Sequence, residues 1–536
     1  MKTKNWLKKN YPWLILAAVL SGLVFLNVRY LDHWLDSDMS AEMMFSRLLA
    51  RQGHLFASGS WFYSTEFRVL YTQLIMVPLF HISSNWHLIR AVTNVVFYLL
   101  LLLSYFYLSK ALKTDWKKTI LCGAVLLLPF SETMMLHMQM GNTYMSHVIL
   151  LYFYFGMFLR IGKKEKEQER GYLLWFIYML LSFIFGISGV RYLLAMQVPL
   201  MLSALIFWIK GETFQNFRSH PDILNWKTIL SGQPWHYFVI SIFGFIPALL
   251  GYAFNAFWIT QHYTFQTYDG IKFISVYQGL FNERVRDTFG ALLMLFGYIP
   301  DKSVLSLRGI VTMSAFILII LLIVCTIRCR TTKEESNRFL LLFFMTAFLL
   351  NTFVFVFTDS TIVPRYYITS LIFLVPLMAV FFSEEKNILD RRSFACIMVV
   401  CLCLSTLKVT ASFAMTDKNA DRYGAISYLT DHGYQFGYAT YWNGNITQEL
   451  SNGKLETANI KDPESFTFFK WSSEADYYLS DYPKGKVFIL LSEQEEKDGK
   501  KTAVLKYAEK VYEDGKYAVY SYQSNEVLLS HVEKNG

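Results

Sequence analysis

The chain has 536 residues, of which 54% are hydrophobic, 17% aromatic and 17% charged, and its mean hydropathy is +0.30. A soluble chain of this size is nearer about a quarter charged, so a purely cytosolic or disordered protein is excluded and a polytopic membrane protein is expected. The net charge of +9 is unevenly divided: the segment after Phe413 holds 14 Lys and Arg against 19 Asp and Glu, and the remainder holds 36 against 22. The basic excess therefore belongs to the apolar part, where positive loops set orientation. No basic stripe interleaved with aromatics marks a nucleic-acid surface.

At the N-terminus, Lys2, Lys4, Lys8 and Lys9 precede the apolar run 12–28. No small-residue cleavage site follows, so this run reads as an uncleaved first span. Further runs of crossing length are 88–108, 119–136, 143–159, 172–190, 192–209, 237–259, 310–327, 339–357, 366–382 and 394–413, about eleven spans in all by the ~20-residue criterion. Two shorter apolar stretches, 69–82 and 289–299, suit interfacial or re-entrant segments. With 69–82 at the interface, the basic loops around Lys110 to Lys118, 163–170, 210–227, 328–338 and 384–392 all fall on one side. The positive-inside rule makes that side the cytoplasm. This predicts a multi-pass plasma-membrane protein with a cytoplasmic N-terminus and an extracytoplasmic C-terminal domain.

The expected domains are 1–413, the membrane part, and 414–536, a small α/β domain. At about 120 residues the second can hold its own modest core. Strand-like runs are 437–442, 486–491 and 516–522, with turns at Asn452-Gly453 and Asp514-Gly515 and a helical stretch at 421–432. The six cysteines lie in or beside apolar spans and none follows Ala414, so no disulfide framework is expected outside the membrane. Asn445-Ile446-Thr447 matches a glycosylation sequon and is read as accidental.

The outer loop 31–87 concentrates Asp32, Asp36, Asp38, Glu42, Trp61, Tyr63, Glu66 and Arg68. Long loops are usually functional or disordered, and this one is too aromatic for disorder. Apolar periodicity predicts two interfacial helices, 40–51 and 66–80. Asp38 precedes the first and reads both as its N-cap and as a base, because a helix N-terminus keeps a carboxylate ionised and able to take a proton. Asp36 is a near-equal candidate, and Asp36-Ser37-Asp38 also offers oxygens to a divalent cation.

Arg68, Arg191 and Arg365 fall at outer span ends or loops, and guanidinium groups there suit a phosphate. They suit an interface anchor equally well. Glu132 and Asp359 lie at the same face and are placed to orient an arginine or a sugar hydroxyl. Trp61, Tyr63, Tyr366 and Tyr367 suit stacking on sugar or isoprene, or an aromatic belt. His137 and His147 flank a short outer loop and read as satisfied interfacial histidines, since no metal-binding spacing supports them.

The order of features resembles the GT-C superfamily of membrane glycosyltransferases, including protein O-mannosyltransferases and the lipid A aminoarabinose transferase. The resemblance rests on a first span, acidic residues in a large outer loop, Glu66-Phe67-Arg68-Val69-Leu70-Tyr71, Pro78-Leu79-Phe80, and Leu88-Ile89-Arg90 opening the second span. It is best over residues 36–110, weaker to Arg191, and architectural to Phe413. It implies transfer of a sugar from a polyprenyl-phosphate donor to an extracytoplasmic acceptor: a wall polymer, a glycolipid or a protein. It also implies an acidic base in the first outer loop, here Asp36 or Asp38, and arginines on the lipid phosphate, here Arg191 and Arg365. Many members carry an adjacent Asp-Glu pair where this chain has Asp36-Ser37-Asp38, and the His-Pro-Pro type segment of the O-mannosyltransferases is absent. A phosphate leaving group needs no general acid, so one carboxylate base suffices, and a single displacement inverts the anomeric centre. The competing readings are a lipid-linked-glycan flippase, against which the scarcity of mid-membrane charge argues, and a non-enzymatic surface protein whose outer domain binds glycan.

Overall fold

The computed structural model describes residues 2–163, 171–211, 215, 230, 232–266, 271–277, 279–479, 482–483 and 485–532. The basic stretches 164–170 and 216–229 lie outside the described residues. The chain divides into two compact units. One comprises Met1–Phe25, Val96–Phe257 and Asp269–Ala411, and the other Leu26–Val95, Trp258–Tyr268 and Ser412–Gly536.

The first unit is helical. Among the described residues of the whole chain, nine helices are long and apolar enough to cross a membrane, which makes the protein a polytopic membrane protein. Two of the expected spans take other forms. Residues 119–136 divide into the helix Trp116–Leu126, a break, and a second helical stretch beginning at Glu132. Pro129 accounts for the break, since it disfavours helix in the residue before it and cannot donate to the ladder. Residues 172–190 form the shorter helix Gly171–Ile187, which stops before Gly189 (φ +104°). That helix packs directly on Gln233–Phe254: a Cβ on Gly186 would meet Ala248 O at 1.9 Å, and one on Gly251 would meet Phe183 O at 2.0 Å. Small residues allow this close approach of backbones where lipid supplies no hydrophobic drive.

The second unit joins Leu26–Val95 to the C-terminal segment. Its larger sheet has five strands in the order β4-β3-β6-β8-β7, namely β3 Phe436–Thr440, β4 Glu456–Ile460, β6 Val487–Ser492, β7 Glu509–Glu513 and β8 Tyr517–Tyr522. β3 runs parallel to β4 and β6, while β8 pairs antiparallel with β6 and β7. The β7–β8 hairpin turns at Asp514-Gly515, where Gly515 takes a φ of +80° that favours glycine. Leu429, Phe488, Leu490 and Val519 form the buried core beneath one face. The smaller sheet, β2-β1-β5, places β1 (Trp61–Tyr63) between β2 (Thr264–Phe265) and β5 (Ser473–Glu474). Three distant chain segments thus share one ribbon.

Several local expectations change. The strand expected over 437–442 ends at Thr440, and Tyr441–Leu450 is a helix. This helix is the crossover that parallel neighbours β3 and β4 require. The interfacial helix expected over 66–80 forms only at Gln73–Phe80. Upstream, the Gln73 side chain bonds the carbonyls of Arg68 (2.7 Å) and Val69 (3.1 Å), taking the place of helical backbone donors and stopping the helix. The first interfacial helix runs Ser37–Gln52, and its N-cap is Asp36, whose Oδ1 accepts from Met39 N–H at 2.9 Å. Asp38 therefore lies inside the first turn instead of capping it, because the helix begins at Ser37, earlier than its apolar stripe. Asn445 of the sequon is fully buried, so glycosylation there is incompatible with the folded unit.

The Ser37–Gln52 and Tyr441–Leu450 helices pack together, and one face of the latter makes the junction. Ser37 Oγ donates to Tyr441 O (2.7 Å), and Asn445 Nδ2 donates to Ser37 O (3.4 Å). Arg90, at 0% exposure, donates to both Glu449 oxygens (2.6 and 2.8 Å) and to Met39 O (2.8 Å). Residues 441, 445 and 449 are four apart, the spacing of one helical face. Removing one partner of a buried, bidentate pair leaves the other charge uncompensated. Glu449→Ala should therefore cost about 3–5 kcal/mol, seen as a lowered melting temperature. Replacing the pair together, Arg90→Met with Glu449→Leu, should recover much of that loss, and a Glu449→Ala protein as stable as its parent would contradict this account of the junction.

Candidate active site

The first turn of the Ser37–Gln52 helix gathers the acidic candidates. Asp36 is committed to capping. Asp38, half-buried, accepts a 2.8 Å hydrogen bond at Oδ1 from the Tyr441 hydroxyl. Burial pushes the Tyr441 phenol well above its ordinary range, and the negative charge of Asp38 adds to the shift. Tyr441 thus remains a donor over any physiological pH, and it fixes the direction of the Asp38 carboxylate.

Glu42 lies four residues after Asp38, on the same helix face. Its Oε1 pairs with Arg68 Nη1, and its Oε2 accepts from Thr72 Oγ1 at 3.3 Å. Arg68 also reaches Glu66 Oε2 at 3.4 Å and lies over the Tyr71 ring at 4.6 Å. Burial raises the Glu42 carboxyl above its ordinary value, with Arg68 opposing the rise. For Arg68, burial works against the charged form, yet Tyr71, Glu42 and Glu66 hold the guanidinium well above its usual range. Tyr63 is spent on structure: it accepts from Ser58 N–H (2.9 Å), donates to Ser58 O (3.2 Å) and stacks on Phe265 at 5.1 Å.

The second unit therefore brings Asp36, Asp38, Glu66, Arg68 and Tyr63 into one neighbourhood. The other candidates lie in the first unit. There Arg191 stands 5.1 Å from the Tyr144 ring and 5.8 Å from the Tyr366 ring, and Arg365 stands 5.9 Å from Tyr366. Tyr366, stacked on Phe355, thus carries two guanidinium groups at its ring. Of the two histidines, His137 Nδ1 bonds Thr143 Oγ1 (3.0 Å), and His147 stacks on Tyr192 (5.1 Å). Glu132 does not join the arginines; it pairs with Lys408 at 2.9 Å.

Asp36 Oδ1 and Asp38 Oδ1 each accept a hydrogen bond from a protein donor, and no group of three or more His, Cys, Asp or Glu suited to a metal occurs among the described residues. Glu42, named among the acidic residues of 31–87, shares a helix face with Asp38 through its four-residue spacing. The hydrogen bond from Tyr441, 403 residues away from Asp38, had no signal in the sequence.

No family profile and no curated protein matches the chain. Solved structures do. ArnT from Cupriavidus metallidurans in the apo state aligns with a TM-score of 0.55 and 10% identity, covering 98% of this chain and 99% of that one. The same protein bound to undecaprenyl phosphate aligns at 0.50 and 10%, covering 96% and 98%. The archaeal oligosaccharyltransferase AglB from Archaeoglobus fulgidus, in complex with an inhibitory peptide and a dolichol-phosphate, gives 0.48 and 12%, covering 91% and 70%. The chain shares the fold of ArnT. The near-complete mutual coverage with ArnT extends the likeness through the C-terminal segment.

The raised Glu42 carboxyl makes a pH prediction. The native state holds this proton more tightly than the unfolded chain does. The stability it contributes is fully present below the ordinary value of 4.5, and it is lost as pH rises through the folded-state value. The melting temperature of the parent should therefore fall more steeply with pH above 4.5 than that of Glu42→Gln, which cannot titrate. Superimposable pH curves would contradict the shift.

Proposed function

We propose that the protein is a membrane glycosyltransferase that moves a sugar from a polyprenyl-phosphate donor to an extracytoplasmic acceptor, with Asp38 as base. The observation that carries this reading is a carboxylate in the first turn of a helix, aimed by a buried tyrosine, within a GT-C fold. ArnT, which shares that fold, was solved with undecaprenyl phosphate, and this supports a lipid-phosphate donor here. The acceptor is a wall polymer, a glycolipid or a protein. The protein lies in the plasma membrane with its N-terminus cytoplasmic and its C-terminal domain outside.

In the reaction, Asp38 takes the proton of the acceptor hydroxyl as that oxygen bonds to the anomeric carbon. The bond from that carbon to the phosphate oxygen breaks, and its electron pair leaves with the phosphate. No proton is needed on the leaving group, and one displacement inverts the centre. Arg191 and Arg365 are assigned to the phosphate, because guanidinium groups stabilise the charge that grows there. Asp36 is assigned to the helix cap, since its Oδ1 already accepts from Met39 N–H.

Asp38→Asn should lower transfer from a polyprenyl-phosphate sugar by about 10²–10⁴-fold while leaving expression and melting temperature near the parent's. Asp36→Asn should act mainly on stability, through the weakened cap, by about 1 kcal/mol. Reconstituted protein with radiolabelled donor reads both effects. Full activity in each single variant and in the double variant would remove the base.

A further inference from the structure

Within the second unit, residues 413–419 form a strap by which the chain leaves the helix Ile388–Met415 for the C-terminal segment. The turn Leu31–Trp34, which leads into the helix that carries Asp38, fastens this strap. His33 Nδ1 donates to Phe413 O (3.2 Å), Trp34 Nε1 to Thr416 O (2.9 Å), and Lys418 N–H to His33 O (2.9 Å). Asn419 Nδ2 donates to Asp32 O (2.7 Å) and Leu35 O (3.2 Å). Just beyond the strap, Arg422 Nη1 donates to Asn419 Oδ1 (2.6 Å) and its Nη2 to Asn443 Oδ1 (3.0 Å), in the helix of Tyr441. One hydrogen-bonded run thus connects the turn, the strap and the helix whose tyrosine holds Asp38.

The turn is held in its own place by His87, which lies three residues before Arg90 on the same helix face. His87 Nδ1 is 2.9 Å from Asp32 Oδ1, and Nε2 is 3.0 Å from Val28 O. A carboxylate and a carbonyl only accept, so each ring nitrogen must carry a proton to bond, and the ring is an imidazolium. In either neutral tautomer one nitrogen lone pair would face an oxygen, and one of the two bonds would turn into a repulsion. His33 differs: its Nδ1 faces a carbonyl while Asp417 is 4.0 Å from its Nε2, so a neutral ring protonated at Nδ1 satisfies it. The His87 and Asp32 side chains are 33% and 36% exposed, which lets the second proton exchange with bulk water. The other charged and titratable groups about the pair are Glu449, committed to Arg90, Tyr423 beside Asp32, Arg29, next in the chain to Val28, and Tyr30, whose ring is 5.2 Å from that of His33.

We propose that His87 is a positioning residue: as an imidazolium it braces the 31–35 turn through Asp32, and loss of its second proton slackens both the 413–419 strap and the hold on Asp38. The effect on the strap follows from the geometry of the second unit alone. The effect on rate rests on the reading of Asp38 as base, and it is read by a separate measurement.

The test is hydrogen–deuterium exchange of the full chain in lipid nanodiscs from about pH 5 to 9, with the intrinsic pH dependence of exchange divided out. In the parent, protection of the strap amides should fall by about tenfold in one titration as pH rises. His87→Gln, which cannot titrate, should show the lower protection at every pH and no transition. Asp32→Asn keeps the shape and an acceptor but removes the charge that favours the imidazolium, so the transition should move to lower pH; a merely structural contact or a misfolded variant gives no such displacement. His33→Gln should leave the transition where the parent has it. Single-turnover sugar transfer should carry the same alkaline limb in the parent and lose it in His87→Gln. The proposal is overturned if the strap shows no transition, if His87→Gln retains one, if Asp32→Asn leaves it in place, if His33→Gln abolishes or moves it, or if transfer occurs without the limb. A strap that titrates with His87 in a protein that transfers no sugar removes the enzyme reading alone, and transfer with an indifferent strap removes this inference alone.

Discussion

The second unit depends on one face of a ten-residue helix, Tyr441–Leu450. Tyr441, Asn445 and Glu449 meet the first turn of the Ser37–Gln52 helix and Arg90 through a hydroxyl, an amide and a bidentate carboxylate. The buried Arg90–Glu449 pair is costly to form and costlier to break singly, so it fixes the register in which the two helices meet. Tyr441 uses that register to hold Asp38. The C-terminal segment is consequently part of the candidate site and not an appendage to it. A carboxylate in the first turn of a helix that also accepts from a buried phenol is restricted in orientation, the preorganisation that the proposed proton transfer would use.

The ion-pair cluster of Glu42, Glu66 and Arg68 follows from the same helix. Glu42 stands one turn beyond Asp38 and meets residues of the connecting stretch between β1 and the Gln73–Phe80 helix. Gln73 keeps that stretch from becoming helical by bonding its carbonyls, and the extended path lets Glu66 and Arg68 both approach Glu42. A short local choice, a side-chain amide in place of backbone N–H groups, therefore accompanies the meeting of the two carboxylates at one guanidinium. In the other unit, the Tyr366 ring has Arg191 and Arg365 on it at 5.8 and 5.9 Å.

Much of this was legible in the sequence. Long apolar runs gave most of the spans, because a helix in lipid has no alternative way to satisfy its backbone. Alternation and turn residues gave β6, β8 and the Asp514-Gly515 hairpin. The acidic residues and Arg68 of 31–87 stood out by their crowding in an aromatic segment. Other features could not be read from local pattern. The cap moved from Asp38 to Asp36 because the helix begins at Ser37, three residues before the predicted 40–51 stretch. The 66–80 helix was shortened by a side chain competing with the backbone. Tyr441 was hidden because its partner lies 403 residues away, and because the parallel pairing of β3 with β4 requires a helix where the residues alone suggested a continuing strand.

The most direct measurement is single-turnover sugar transfer by Tyr441→Phe at saturating donor and acceptor. The substitution deletes one hydroxyl and leaves the ring that packs in the junction. The account predicts a rate about ten- to a hundredfold below the parent, with substrate affinities and melting temperature kept. A parental rate in a protein lacking that hydroxyl would contradict it, because Asp38 would then need no such hold.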